Sequence, residues 1–200
     1  DANLRYYWEK QIYSDDPFTS AKGRPIAVIS DADGLRLTNR FEYDARGNVT
    51  RIIDPRGNDT LYTYNALDQL VRSESPTNLT ARCVTDCLYD ENGNVVQTIT
   101  ELRDETDTLV RKVDTIWAYD ALDRCISVAG QIAKGQYATN RFEYDGNGNL
   151  VAVHSPLAVA GIEPNNLTQF EYDERGLLFR EIGAPGSGSS PTNEYSYDSN

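Results

Sequence analysis

The chain holds 200 residues, 39% hydrophobic, with 13 tyrosines and no methionine, and carries a net charge of −12 from 31 acidic and 19 basic residues. That length suffices for a sizeable core, while the acidity repels phosphate backbones and speaks against nucleic acid as a partner. No apolar run approaches the ~20 residues that span a bilayer, so this segment is expected not to insert into a membrane.

Residues 1–22 contain Tyr6, Tyr7, Trp8 and Tyr13 without a matching glycine and read as a degenerate repeat unit. From Gly23 the grammar becomes regular: Gly23 to Gly34 parallels Gly47 to Gly57 with one residue inserted. The clearest unit runs from Asn39 to Leu70. Phe41 and Tyr43 alternate with Glu42 and Asp44, the period of a half-buried strand. Ala45-Arg46-Gly47 predicts a short hairpin loop: Asp44 bonds the backbone two residues on, and Gly47 takes a positive φ in a type I turn plus bulge. Val49 to Ile53 is a β-branched return strand, Asp54-Pro55-Arg56-Gly57-Asn58 a second turn, and Leu61 to Tyr64 the next strand. Both connections are too short for a crossover helix, so neighbouring strands are antiparallel.

The Tyr-Asp-x-x-Gly-Asn-aliphatic element of that unit, Tyr43-Asp44-x-x-Gly47, returns as Tyr89-Asp90-x-x-Gly93 and Tyr144-Asp145-x-x-Gly148. Looser copies start at Tyr64-Asn65, at Tyr119-Asp120, and at Tyr172-Asp173 with Gly176. A seventh, Tyr195-Ser196-Tyr197-Asp198, stops with the chain, so a longer parent protein is expected. Tyr-to-Tyr spacings from Tyr43 to Tyr197 are 21, 25, 30, 25, 28 and 25 residues, a period that signals a repeat architecture. Aromatics two apart share a face, so stacked units build an aromatic ladder, with Phe41, Phe142 and Phe170 beside their tyrosines and the intervening glutamates outward. The connections vary at 75–82, 101–112, 155–168 and 183–193. Charged, threonine-rich Glu101 to Lys112 reads as a long loop, and Gly183 to Asn193 as a long hairpin loop of linker composition. The expected fold is all-β, a continuous antiparallel ribbon of hairpins of about a dozen strands, without a separate second domain.

The chemistry-bearing residues form no catalytic set. Cys83, Cys87 and Cys125 cannot complete a disulfide set and are expected to be small buried hydrophobes. With His154 as the lone histidine they fall short of a zinc site. The Asp90-x-Asn92-Gly93-Asn94 and Asp145-x-Asn147-Gly148-Asn149 phrases resemble halves of a calcium loop but lack its closing glutamate, and tight turns account for them. His154 beside Ser155 lacks a nucleophile elbow and reads as a strand histidine. Gly186-Ser187-Gly188-Ser189 has no following Lys-Ser/Thr pair and is no phosphate cradle. Asn48, Asn58, Asn78 and Asn166 each open an Asn-x-Thr sequon, which also reads as turn followed by strand.

The phrase Asn-Arg-Phe-Glu-Tyr-Asp-x-x-Gly-Asn at 39–48 and 140–149 resembles the YD repeat of the RHS family. That family includes shells of bacterial polymorphic toxins, the B–C cocoon of insecticidal Tc toxins, and teneurin ectodomains. The resemblance covers residues 23–200 and implies one segment of a spiralling hollow shell, a wall with no catalytic residues, cofactor or metal of its own. It further implies a secreted or cell-surface protein, whose partners are the rest of the parent chain and an enclosed C-terminal toxin cargo. Two departures stand out. Nothing matches the family's closing core segment, and Asp54-Pro55-Arg56-Gly57, though similar to its DPxG cleavage motif, lies where a turn is expected. No toxin domain is present. The alternative is a cell-surface recognition module binding glycans or a partner protein through exposed tyrosines, Tyr62 and Tyr64 among them, and the variable loops.

Overall fold

The computed structural model describes residues 9–13, 22–30, 35–76, 81–185 and 190–198. Its strands follow one another in a single sheet whose order is the chain order, each described pairing antiparallel. Short turns leave no other choice, since consecutive strands of a meander must pair with their neighbours. The chain divides into two compact units, Asp1–Leu88 with Thr98–Lys112, and Tyr89–Gln97 with Val113–Asn200.

The first unit contains β1 (Glu9–Tyr13), β2 (Pro25–Ser30), β3 (Leu37–Tyr43), β4 (Val49–Ile53), β5 (Asp59–Tyr64), β6 (Leu70–Glu74) and β7 (Ala81–Tyr89, to Leu88). It also holds part of β8 (Val95–Asp104) and of β9 (Leu109–Tyr119). Register sorts its side chains onto two faces. On one, Phe41 faces Ile52 and Ile52 faces Thr60, while Tyr62 faces Ser73 and Ser73 faces Thr85. On the other, Glu42 faces Arg51, Thr63 faces Arg72, and Arg72 faces Asp86. Those charges interlock: Arg51 lies 3.1 Å from Glu42 and 2.9 Å from Asp59, and Arg72 lies 2.9 Å from Glu74 and 2.8 Å from Asp86. Arg82 pairs with Glu74 and, at 2.8 Å, with Asp107. Val84, opposite Glu74 on this charged face, is fully buried.

The second unit holds the remainder of β8 and β9, then β10 (Cys125–Ala133), β11 (Gln136–Tyr144), β12 (Leu150–His154), α1 (Pro156–Val159), β13 (Leu167–Tyr172), β14 (Leu178–Gly183) and β15 (Thr192–Glu194). The same division holds here. Trp117 faces Val128 and Phe142 faces Val153, whereas Arg141 faces His154 and Glu171 faces Arg180. Phe142 and Tyr144 are half-buried with Glu143 exposed, as are Phe41 and Tyr43 with Glu42. In the third pair Glu171 is half-buried like Phe170 and Tyr172, and Arg180 lies 2.9 Å from its carboxylate.

Two expectations fail. The segment 101–112 is no long loop: β8 and β9 run on to a tight turn at 105–108. Cys83 is exposed and Cys87 and Cys125 are only half-buried, because a single-layer sheet supplies no interior for them. Only Ile29, Val84 and Ala152 are buried among the described hydrophobic residues.

Candidate functional site

The repeated element resolves into one five-residue turn used eight times among the described residues. In each, the first residue's N–H donates to the fifth residue's carbonyl, and the fourth residue's N–H to the first residue's carbonyl; the first residues are Asp44, Asp54, Asn65, Asp90, Asp104, Asp120, Asp145 and Asp173. The side-chain oxygen of the first residue closes the loop. Asp44 Oδ1 accepts from the N–H groups of Arg46, Gly47 and Asn48 at 2.9, 2.7 and 2.9 Å. Its Oδ2 accepts from Asn48 Nδ2 at 3.0 Å. Asp54, Asp90 and Asp145 repeat this with Asn58, Asn94 and Asn149 in the fifth position, and Asp120 with Arg124 Nε at 2.7 Å. Every hydrogen bond to a carboxylate favours its charged form. Asp44, Asp54 and Asp145 are held below the usual carboxylate range first by the asparagine side chain, with desolvation opposing and backbone N–H groups adding to the depression.

The fourth residue has positive φ in all eight turns: Gly47 (98°), Gly57 (87°), Asp68 (61°), Gly93 (91°), Asp107 (62°), Asp123 (59°), Gly148 (90°) and Gly176 (75°). Glycine is the expected occupant, since a Cβ is strained there. The three exceptions are all aspartates, and each reaches another turn or strand. Asp68 accepts from Asn48 Nδ2 at 2.7 Å and pairs with Arg46 at 3.1 Å. Asp123 accepts from both Asn92 and Asn94 at 2.8 Å. Asp107 takes Arg82 at 2.8 Å and Arg103 at 3.4 Å. Strain is thus retained where the side chain makes a link glycine cannot.

The tyrosine makes a second link. Tyr43 Oη donates to the Pro25 carbonyl at 2.7 Å, Tyr119 to Val95 at 3.0 Å, Tyr144 to Cys125 and Tyr172 to Leu150 at 2.9 Å, and Tyr197 to Leu178 at 2.8 Å. Each acceptor is the first residue of a strand, and the Tyr119, Tyr144 and Tyr172 hydroxyls tie the turns at Asp120, Asp145 and Asp173 to the strand starts that follow the turns at Asp90, Asp120 and Asp145. Burial raises the Tyr43, Tyr119, Tyr144 and Tyr172 phenols above their ordinary value, so they stay protonated donors. Arg24 lies 5.6 Å over the Tyr43 ring and Arg124 4.8 Å over Tyr144, which caps those ring faces with guanidinium groups. Removing one hydroxyl tests the link: Tyr144→Phe is expected to cost about 1 kcal/mol, because the Cys125 carbonyl loses its donor. A urea midpoint equal to wild type would refute that.

The other singled-out residues are turn and strand positions. The Asp54 carboxylate is held by Arg56 N, Asn58 N and Asn58 Nδ2 at 2.8, 2.8 and 2.7 Å, fixed in its loop beside Pro55. His154 is a strand histidine 3.0 Å from Glu143, which also pairs with Arg141. Sequon residues Asn48, Asn58 and Asn166 each donate Nδ2 to a carboxylate, at 3.0 Å to Asp44, 2.7 Å to Asp54 and 2.9 Å to Glu163. Asn78 and the Gly186–Ser189 run lie outside the described residues. No group of three or more metal-ligating side chains occurs among the described residues, and no described helix is long and apolar enough to cross a membrane. The turn at Asp104 escaped sequence reading, having neither tyrosine nor glycine. Its signal was Asp104 three residues before Asp107, the spacing of Asn65 to Asp68 and Asp120 to Asp123.

A family model for the RHS repeat matches residues 20–59 and 43–80. No curated protein matches the sequence. Among solved structures, the crystal structure of TcdB2-TccC3 without its hypervariable C-terminal region is similar with TM-score 0.68 and 16% identity over 94% of this chain. The crystal structure of TcdB2-TccC3 is similar with TM-score 0.50 and 13% identity over 95% of it. These likenesses concern the fold, and the chain spans only 10% and 12% of the lengths of those two proteins. The RHS repeat model thus matches the stretch that holds the first turns, and the same hydrogen-bonded turn recurs beyond it to Asp173.

Proposed function

We propose that the chain is a stretch of wall in a large secreted or surface-delivered RHS protein, enclosing or displaying a C-terminal cargo. The observation that carries this reading is the single-layer sheet whose turns are tied one to the next, with little buried core of its own. Such a sheet gains by closing around something, and repeat arrays gain stability from neighbouring units. The role is mechanical and non-enzymatic: the wall separates a toxin from the producing cell until delivery. Against the glycan-recognition alternative, five tyrosine hydroxyls are engaged by neighbouring strands and two rings are capped by arginine, while Tyr62 and Tyr64 are half-buried. Limited proteolysis of the full-length parent protein tests the proposal. The C-terminal region is expected to survive while surface loops are nicked, and its rapid digestion within an intact wall would sink the enclosure reading.

A further inference from the structure

The chain contains two Asn-Gly dipeptides, Asn92-Gly93 and Asn147-Gly148, both in the third and fourth positions of the repeated turn and both exposed. Asparagine followed by glycine is chemically labile, because without a Cβ the next backbone nitrogen reaches the side-chain carbonyl carbon. The local settings match closely. Asn92 N and Asn147 N donate to Asp90 and Asp145 Oδ1 at 3.0 and 2.9 Å. Gly93 N and Gly148 N donate to the Asp90 and Asp145 carbonyls at 3.2 and 3.1 Å. The side-chain amides differ. Asn92 Nδ2 donates to Asp123 Oδ1 at 2.8 Å, and that oxygen also accepts from Asn94 at 2.8 Å. Asn147 makes no such link among the described residues, and the space beside Gly148 is open, with nothing within 4 Å of where a Cβ would stand.

We infer that Asn147-Gly148 is a site of spontaneous deamidation, whereas the same chemistry at Asn92-Gly93 is guarded by Asp123. The Gly148 nitrogen attacks Asn147 Cγ. The N–Cγ bond forms, the Cγ–Nδ2 bond breaks, and ammonia leaves with the proton from the glycine nitrogen. Water then opens the five-membered imide at either carbonyl, giving aspartate or isoaspartate. At Asn92 the same ring closure must first break the amide's hydrogen bond to Asp123. The product there would set a new carboxylate against Asp123 and remove one of the two asparagine donors that tie the turns at Asp90 and Asp120. The guarded asparagine is thus the one whose loss would weaken the link between two repeats.

Peptide mapping by mass spectrometry, with isoaspartate quantified during incubation of the whole chain at mildly alkaline pH, tests this. Asn147 is expected to convert about fivefold faster than Asn92, the factor one hydrogen bond supplies. In urea the two rates should converge. Asp123→Ala should bring Asn92 up to the rate of Asn147, while Asp123→Asn, which keeps an acceptor oxygen, should leave it slow. Asn92→Asp should lower the melting temperature and Asn147→Asp should not. Equal rates at the two sites in the folded chain, or an Asn92 rate unmoved by Asp123→Ala in a protein that circular dichroism shows still folded, would overturn the inference.

Discussion

Acidification is expected to unfold this protein through its turns: the urea midpoint should hold level above about pH 5 and fall steeply below about pH 4. Asp44, Asp54, Asp90, Asp104, Asp120, Asp145 and Asp173 are all held below the ordinary carboxylate value in the folded chain. Glu74, Glu101 and Glu143 move in the same direction. A depressed folded pKa means that the unfolded chain binds more protons within this window, so stability rises with pH there. The contribution is complete above the unfolded value near 3.9 and disappears as pH falls through the lower folded values. Each shift belongs to a wet group, but the turns repeat, so small contributions sum along the array. Asp145→Asn separates charge from geometry. Asn65 already closes its turn with an amide oxygen, accepting from Leu67 N and Gln69 N at 2.9 and 3.0 Å, so that substitution should fold and show a shallower acid limb. A midpoint unchanged between pH 5 and pH 3 would refute the account.

The turns were the legible part of the sequence, because one residue, an Asx at the first position, both accepts the loop's N–H groups and announces itself by spacing. Strand faces were legible for the same reason: Phe41 and Tyr43 against Glu42 allow only one register. The links between turns were not. That Tyr144 reaches the Cys125 carbonyl, or that Asp123 gathers Asn92 and Asn94, depends on which strand ends lie side by side, which local pattern does not state. The short helix at Pro156–Val159 did carry a local signal. Ser155 accepts from Ala158 N as its N-cap and proline opens it, a start sequence hidden inside a connection of variable composition. Cys83 was misplaced because cysteine's habit of burial presumes an interior, and a sheet one layer thick has little.

Gly47→Ala is expected to cost about 2 kcal/mol and Gly148→Ala about 1 kcal/mol, and the difference isolates what the array builds on its turn glycines. Both sit at positive φ, 98° and 90°, so both substitutions bear the strain of a Cβ in the left-handed region. Around Gly148 the new methyl meets nothing within 4 Å, and strain is the whole effect. At Gly47 the methyl would occupy the place of the Arg24 guanidinium, so Arg24 must leave. Displacing it forfeits its position over the Tyr43 ring and its contact with the Arg46 carbonyl at 3.5 Å, interactions that tie this turn to the bend that precedes β2. The arginine tip is flexible and can swing away, which keeps the added cost near that of one cation–π contact. A double-mutant cycle checks the assignment: once Arg24→Ala has removed the guanidinium, Gly47→Ala should cost no more than Gly148→Ala. Equal costs for the two glycines in the wild-type background, measured as urea midpoints at constant m, would show that Arg24 contributes nothing at that turn.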